Sequence, residues 1–533
     1  MKKALYSLLL SALALSSLNS CGDDFLDKTP QDNYTADNFY TDPAALKAAT
    51  APLYCRAWFD YSRSALALGS CRANDCYGQW FLPEYTLFTV TALGEQVASA
   101  WQACYSVVTM ANETLTAVES RTMGITEAQK NAAIAECRLM RGIAYFNLLR
   151  LWGSVILFED NSIVVKNPVQ PRYKEEDVFK FIIRDLEFAA KWLPESADKG
   201  RASSWGAKGM LAKVYLARSG WNNGGTRNQA DLDKACALCA DVCNNSGLKL
   251  YADYENLYKY KHNNNEESLI AIQWVPLGEW GTQNSLLSDL AFSSEVVGGV
   301  GAWGSARGSL DMLEQYEPGD KVRLKATFMI NGAHYPYICI SEGGYTFKGD
   351  DAPFKKGVPG GPDDDNDGYV DAMNSPLNTY LLRLADVYLT YGEAALGNNE
   401  TLSSGEGLEY FNKVRVRAGL RPKDSITFDD VIRERRVEFS MEYCNWHDMV
   451  SWYRWQPEKM LAYFNNQKRG WVPKTIRRAE NGIFDFGNEE EWTKIDPPVV
   501  ITHDNVFLPY PEKDVIQNPL LKAEPQSYNF KDE

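Results

Sequence analysis

Histidine is scarce in this chain of 533 residues. Only four histidines are present, and no two of them are close in sequence: His262, His334, His447 and His503. A metal centre or proton relay built on histidine is therefore not expected. Beyond its first 20 residues the chain also lacks any apolar run of the roughly 20 residues that a membrane-spanning helix needs.

Positive charge is in short supply as well. Lysine and arginine together number 55 against 70 aspartates and glutamates, which gives a formal net charge of −15. Lys2 and Lys3 lie in a segment that we predict to be removed, so the charge becomes −15 − 2 = −17. A chain this acidic is not expected to bind nucleic acid or an anionic membrane face.

Familiar catalytic signatures are missing too. The sequence resembles no nucleophile elbow, P-loop or HExxH motif. Acidic residues are plentiful, so an enzyme such as a glycosidase that uses paired carboxylates stays open as an alternative.

Aromatic residues, in contrast, are abundant. The chain has 29 tyrosines, 22 phenylalanines and 15 tryptophans, and 45% of its residues are hydrophobic. This composition is typical of a large globular protein, and aromatic rings suit both big cores and stacking on sugars.

The N-terminus has the pattern of an export signal. Two lysines precede the apolar run ALYSLLLSALAL, which is too short to span a bilayer stably and predicts a signal peptide over residues 1–20. Leu18 and Ser20 precede Cys21 as in a bacterial lipobox, where the cysteine receives lipid and becomes the mature N-terminus. Two or three acyl chains anchor a protein stably, at roughly 0.8 kcal/mol per buried CH₂. The alternative is a plain signal peptide followed by an incidental cysteine.

Most of the remaining chain has the apolar periodicity of helices. The segments LAKVYL (211–216) and LADVYL (384–389) agree at five of six positions, and each is followed by a second helix. Such pairs are similar to tetratricopeptide units, which stack to share a core, although chance likeness between amphipathic helices is the alternative. We predict one α-helical domain over residues 41–533, with helix pairs mainly in 125–245 and 378–450.

Two stretches interrupt the helices, at residues 54–100 and 245–375. They are rich in glycine, asparagine and aromatic residues, and only SLIAIQWV and YPYICI predict short strands. Long loops within a compact protein are usually functional, so these stretches predict the binding face.

The cysteines after Cys21 give two patterns. Cys71 and Cys76 lie five residues apart in a loop-like stretch and could form a small disulfide in an oxidising compartment. Cys236, Cys239 and Cys243 have helical spacing with no nearby fourth zinc ligand. We interpret these three as small apolar residues on a buried helix face.

An aspartate-rich stretch, GPDDDNDGYVD, resembles the start of an EF-hand calcium loop. The predicted calcium ligands are Asp363, Asp365, Asp367, the Tyr369 carbonyl and Asp371. The twelfth position of the loop carries asparagine rather than the usual glutamate, and a metal-free acidic turn is the alternative.

Several segments together resemble the SusD/RagB family of outer-membrane nutrient-binding lipoproteins. The opening GDDFLDKTPQDNYT after Cys21, the helix WQACYSVVTMANETL (101–115) and the block RLMRGIAYFNLLRLWGSVIL (138–157) are similar to family segments. The segments RASSWGAKGMLAKVYLA, LLRLADVYLTYGEAAL, FNKVRVRAGL and IRERRVEFSMEY follow in the family's order, and FLPYPEKDVIQNPLL (507–521) is similar to its closing segment. The likeness therefore runs from Cys21 nearly to the C-terminus.

The resemblance implies a fold and a role. The fold is mostly α, with tetratricopeptide-like helix pairs in a right-handed superhelical scaffold, a loop-rich ligand face and a few short strands. The role is that of a cell-surface lipoprotein, tethered through residues 21–40, that captures oligosaccharides and delivers them to a SusC-like TonB-dependent transporter. It needs no catalytic residue and no organic cofactor. A peptide-binding component of a RagB-type uptake system is the alternative within the family.

One segment departs from the family pattern. After Glu442 the family usually has glycine and, at two later positions, arginine, whereas this chain has Tyr443, Asn445 and Ser451. We expect the departure to affect local packing.

The resemblance also places the ligand face in the loops of residues 54–100 and 275–345. Sugar rings present apolar CH faces to aromatic rings, and their hydroxyls bond to carboxylates, amides and arginine. The predicted ligand contacts are Arg72, Asn74, Asp75 and Trp80 in the first loop, and Trp280, Trp303 and Tyr335 in the second. For each aromatic residue, a packing role is the alternative.

Overall fold

Helices dominate the computed structural model, which describes residues 39–294, 296–297, 301–358, 360–366, 368–370, 373–494 and 499–530. The predicted signal peptide, Cys21 and most of the predicted tether lie outside these ranges. Within them, no helix combines the length and the apolar character that crossing a membrane requires.

The first half of the chain carries the longest helices. They are α1 (Pro43–Thr50), α2 (Phe59–Ala65), α3 (Leu82–Thr86), α4 (Glu95–Arg121), α5 (Glu127–Trp152), α6 (Asn161–Lys166), α7 (Glu175–Trp192), α8 (Ser204–Gly220) and α9 (Gln229–Asn245). Local sequence explains where they begin. Thr126 and Gln129 form a capping box at the start of α5, and three acidic residues occupy the first turn of α7, where the helix dipole favours them.

The second half has shorter helices between long loops. They are α10 (Leu287–Leu290), α11 (Leu310–Gln315), α12 (Lys321–Thr327), α13 (Leu384–Leu396), α14 (Glu406–Arg417), α15 (Phe428–Glu438), α16 (Asn445–Trp455), α17 (Pro457–Asn466) and α18 (Glu512–Gln517). The prediction of a mostly α protein is confirmed.

The long helices stack in sequence order. Helix α5 packs between α4 and α7, α8 between α7 and α9, and α13 against both α9 and α14. Stacked neighbours of this kind share one continuous core.

The two similar segments LAKVYL and LADVYL lie in α8 and α13, which are in direct contact. The one position at which they differ holds Lys213 in the first and Asp386 in the second. Lys213 Nζ lies 2.7 Å from Asp386 Oδ2, so the difference between the two segments forms an ion pair across their interface.

Buried ion pairs hold other helices of the stack together. Arg141 of α5 donates two hydrogen bonds, of 2.7 and 2.8 Å, to the carboxylate of Asp185 of α7. A third bond of 2.6 Å reaches Asn112 of α4. Three helices therefore meet at one buried guanidinium, and this geometry satisfies its charge.

Strands are short and paired in twos. They are β1 (Cys76–Gly78) with β3 (Ala306–Gly308), β2 (Ser268–Ile272) with β6 (Thr379–Arg383), β4 (His334–Tyr335) with β5 (Tyr345–Thr346), and β7 (Arg477–Arg478) with β8 (Phe484–Asp485), all antiparallel. The predicted strand SLIAIQWV corresponds to β2. The predicted strand YPYICI is limited to its first tyrosine, because Pro336 follows and cannot donate a ladder hydrogen bond.

The segment that departs from the family pattern packs tightly against the first loop. Tyr443 has φ of 65°, a left-handed conformation that suits the glycine usual in the family better than tyrosine. A Cβ atom at Gly69, in a π-helical turn over Leu66–Cys71, would lie 1.9 Å from the Tyr443 carbonyl oxygen. Glycine at position 69 allows this close approach.

Candidate functional site

The β1–β3 pair joins the two loops in which we predicted ligand contacts. Cys76 pairs with Gly308 and Gly78 with Ala306, and the Gln79 amide extends the pairing by donating to the Ser305 carbonyl at 2.8 Å. Because the strands are antiparallel, the residues after β1 and before β3 lie at the same end of the pair.

Trp80 and Trp303 meet at that end. Their ring centres are 6.3 Å apart at an interplanar angle of 73°, an edge-to-face contact. Trp80 remains 59% exposed and Trp303 47% exposed. Two large apolar rings therefore face solvent together.

Both tryptophans are fixed by their backbones. Trp80 has φ of 59°, which is a strained conformation for a bulky residue and persists only where surrounding structure enforces it. The amides of Trp303, Gly304 and Ser305 donate to carbonyls of residues 288–291 at 2.7–2.8 Å. Main-chain hydrogen bonds therefore fix the segment that carries Trp303.

Trp280 supplies a third exposed ring. It is 57% exposed and lies in a loop closed by the Val275 amide, which donates to the Thr282 carbonyl at 2.8 Å. Its ring packs edge-to-face on Phe59 at 5.1 Å, and the Arg63 guanidinium lies 5.5 Å from its centre. We call Trp80, Trp280 and Trp303 the tryptophan face.

Asp289 adds an acidic group beside Ser305, two residues after Trp303. Its carboxylate accepts a hydrogen bond of 3.1 Å from the Ser305 hydroxyl. Burial raises the pKa of the Asp289 carboxyl, while the Ser305 hydroxyl and the positive charge of Arg63 lower it. Arg63 thus interacts with both Trp280 and the segment that carries Trp303.

Arg72, another predicted contact, lies in the interior. It is 1% exposed, and its Nη2 donates to the carbonyls of Asn505 and Val506 at 2.8 and 2.7 Å. Its guanidinium also lies over the rings of Phe88 and Trp446. This side chain joins the first loop to the C-terminal segment.

Asn74 and Asp75 are buried as well. Asn74 has φ of 60°, and its carbonyl accepts a hydrogen bond from the Ser309 hydroxyl. The Asp75 carboxylate accepts hydrogen bonds from the side-chain amide of Asn445, at 3.1 and 3.0 Å, and lies 3.6 Å from Arg436. Burial raises the pKa of Asp75 to about 7, although Arg436 and Asn445 lower it.

Tyr335 is fully buried in β4. Its hydroxyl donates to the Lys325 carbonyl at 3.0 Å, and its ring packs edge-to-face on Tyr337 at 6.2 Å. The structure therefore separates the seven predicted contacts into three exposed tryptophans and four buried side chains with partners inside the protein.

The aspartate-rich loop is described only in part, since Asp367 and Asp371 lie outside the described residues. The Asp363 carboxylate accepts hydrogen bonds from the Ser341 amide and hydroxyl, and Asp365 lies 3.8 Å from Lys259. Among the described residues, no group of three or more His, Cys, Asp or Glu side chains converges to hold a metal ion. Calcium binding by this loop stays a prediction.

The cysteine patterns have structural counterparts. Cys71 and Cys76 are buried free thiols whose sulfur atoms lie 3.4 Å apart, at hydrogen-bonding distance and not joined by a disulfide. Cys236, Cys239 and Cys243 lie on α9, where Cys239 is buried and the other two are partly buried.

Sequence reasoning missed Arg63, Phe59 and Asp289. Phe59 and Arg63 are four residues apart on α2, which places them on one helix face beside Trp280. That spacing was available in the sequence. The position of Asp289 depends on the pairing of β1 with β3, which no local pattern predicts.

Chemically, exposed rings flanked by a guanidinium and a carboxylate suit a sugar. The rings can stack on apolar CH faces, and the polar groups can bond to hydroxyls.

Comparison with known proteins identifies the family. The SusD family profile matches residues 247–528, and a second profile, described as starch-binding and associating with outer membrane, matches residues 24–216. The chain belongs to the SusD family. This is the family that the sequence resemblance indicated.

Individual relatives agree with this assignment. A SusD-like protein of Bacteroides ovatus is 58% identical over 543 residues, covering 99% of both chains. A crystal structure determined with xylogluco-oligosaccharide is 60% identical and covers 92% of this chain and 100% of its own, with a TM-score of 0.88. A laminarin-binding SusD-like protein shares the fold at 20% identity and a TM-score of 0.66, with 90% and 98% of the two chains covered.

Proposed function

We propose that this SusD-family protein binds a xyloglucan-type oligosaccharide on its tryptophan face. The observation that carries the proposal is the Trp80–Trp303 pair, two exposed rings held edge-to-face at the end of β1 and β3. Exposed apolar rings cost solvation free energy, and a sugar face would cover them.

The ligand class is supported by similarity. The structure determined with xylogluco-oligosaccharide is 60% identical to this chain. Identity this high favours a similar ligand, whereas the laminarin-binding neighbour, at 20% identity, supports only the fold.

We infer that the protein is anchored to the outer membrane by lipid on Cys21 and passes the glycan to a SusC-like TonB-dependent transporter. The lipobox before Cys21 and the outer-membrane association of the matched family support this. Binding and transfer require no bond cleavage, so the protein acts without a catalytic residue.

Binding is tested by calorimetry on the soluble protein beginning after Cys21. Xylogluco-oligosaccharide should bind saturably, and laminari-oligosaccharide of similar length should bind more weakly or not at all. No heat with xylogluco-oligosaccharide, or tighter binding of a peptide mixture, would contradict the proposal. Analysis of the same samples for cleavage products separates a binder from a glycosidase, because a binder leaves the oligosaccharide intact.

The anchor is tested by Cys21→Ala. The variant should leave the outer-membrane fraction, because no thiol remains at position 21 to receive lipid. A variant that stays membrane-bound would contradict lipid anchoring without affecting the binding result.

A further inference from the structure

Arg72 is a buried cation that forms no ion pair with any residue that the structure describes. Its Nε, although buried, donates to no acceptor in the same part of the chain. Within the described ranges only its Nη2 donates hydrogen bonds, to the carbonyls of Asn505 and Val506, and its guanidinium lies over the rings of Phe88 and Trp446. Burying a charge is costly unless it is paired.

Arg469 increases this concentration of positive charge. It is also buried, and its nitrogens donate to the carbonyls of Arg72 and Thr86 and to the Gln467 side chain, with no ion pair in the described ranges. Both guanidiniums lie over Phe88, with centroid distances of 4.2 and 4.9 Å. Burial lowers the pKa of Arg72, and the charge of Arg469 lowers it further.

Arg72 lines a cavity of about 420 Å³. This volume lies within the roughly 300–1,000 Å³ typical of small-molecule sites. Arg172 lines the same cavity and donates to the Tyr510 hydroxyl at 2.9 Å and the Ala523 carbonyl at 2.8–2.9 Å. It too has no ion pair within the described part of the chain.

The acidic groups of the cavity do not compensate these charges directly. Glu175 is engaged by Arg454 at 2.5 Å and by the Trp221 indole at 2.7 Å. Asp504 is exposed. Three arginines and two carboxylates line the cavity, so its lining carries one net positive charge in a strongly acidic protein.

We propose that this cavity binds a small oxyanion, with Arg72 and Arg172 as its charged ligands. A carboxylate, phosphate or sulfate group accepts hydrogen bonds from guanidinium N–H groups, and it would bring negative charge next to Arg72. The oxyanion is either an inorganic ion or the carboxylate of an acidic sugar. No residue of the tryptophan face lines the cavity, so this site is separate from the proposed glycan site.

The experiment uses the soluble mature protein in a low-salt buffer. Inorganic phosphate, sulfate and glucuronate are each titrated while the thermal midpoint is followed, with sodium chloride of equal ionic strength and neutral glucose as controls. At least one oxyanion should raise the midpoint saturably above both controls. Tighter binding of glucuronate assigns the site to an acidic sugar, and tighter binding of phosphate or sulfate assigns it to an inorganic ion.

A crystal of the wild-type protein soaked in selenate locates the site. The anomalous selenium peak should lie within hydrogen-bonding distance of Arg72 and Arg172. No saturable effect from any of the three oxyanions, or a selenium peak only outside the cavity, would overturn the proposal.

Variants provide the matched comparison. Arg172→Gln should weaken oxyanion binding at least tenfold and leave xylogluco-oligosaccharide binding unchanged. Arg184→Gln, which removes a half-buried arginine paired with Glu159 outside the cavity, should leave oxyanion binding unchanged. Equal oxyanion affinities in both variants would contradict the assignment. Because the selenate experiment uses the wild type, it stands even if a variant folds poorly.

Discussion

The helical stack and the tryptophan face organise their side chains in opposite ways. In the stack, charges such as Arg141 and Asp185 are buried and paired across helices. On the face, Trp80 and Trp303 are exposed and held by main-chain hydrogen bonds of their loops. Stability and binding therefore depend on different residues, and substitutions should separate them.

The largest loss of stability is expected when a buried ion pair of the helical stack is removed. Asp185→Ala should lower the free energy of unfolding by about 3–5 kcal/mol, because it leaves Arg141 buried without its carboxylate. Urea denaturation measures this loss. Asp198→Ala, which removes an exposed partner of Lys47, is the control and should cost much less, because water screens an exposed pair. Equal losses in the two variants would contradict the distinction between buried and exposed pairs.

A pH effect should come from Asp75. Its pKa of about 7 in the folded protein is above the usual 3.8, so the folded state retains this proton to higher pH than the unfolded state. The contribution of the protonated Asp75 carboxyl to stability is complete below about pH 4 and is lost as the pH rises through 7. Relative to Asp75→Asn, the wild type should lose on the order of 1–2 kcal/mol between pH 5 and 7. If the free energies of unfolding of the wild type and Asp75→Asn differ by the same amount at every pH in this range, the pKa of Asp75 is not raised.

Tyr335 tests a buried aromatic residue in the second loop. Tyr335→Phe removes the hydrogen bond to the Lys325 carbonyl and should lower stability by about 1 kcal/mol. Glycan affinity should be unchanged, since the side chain has no exposed surface. A loss of glycan affinity in calorimetry would instead support the predicted role of Tyr335 as a ligand contact.

The smallest effect is expected from calcium. If Asp363 and Asp365 belong to a site with a dissociation constant of about 1 mM, then 1 mM calcium should stabilise the protein by about 0.4 kcal/mol. Thermal unfolding with calcium and with magnesium measures this, with Asp363→Asn as the control. If calcium gives neither stabilisation nor heat of binding, the aspartate-rich loop does not bind it.

The sequence predicted the scaffold well because helical periodicity is local. The segment LAKVYL and its counterpart LADVYL identified two helices that pack together, although not the ion pair between Lys213 and Asp386. This ion pair forms only because α8 and α13 are neighbours, and the packing of all the helices determines which helices are neighbours.

The exposure of the predicted ligand contacts was harder to predict, because burial depends on contacts between distant parts of the chain. Arg72, Asn74 and Asp75 lie only five to eight positions before Trp80, yet these three are interior and Trp80 is exposed. The exposed position follows from the pairing of β1 with β3, between residues more than 200 positions apart in the chain. Polar residues in a loop are often glycan ligands, and here the side chains of Arg72 and Asp75 bond to other parts of the protein.

Calorimetric titration of two variants decides whether the tryptophan face binds the glycan. Calorimetry with xylogluco-oligosaccharide should give at least tenfold weaker binding for both Trp80→Ala and Trp303→Ala, about 1.4 kcal/mol, with wild-type thermal stability. Tyr335→Phe serves as the control and should bind like the wild type. Unchanged affinity in both tryptophan variants would show that the glycan binds elsewhere.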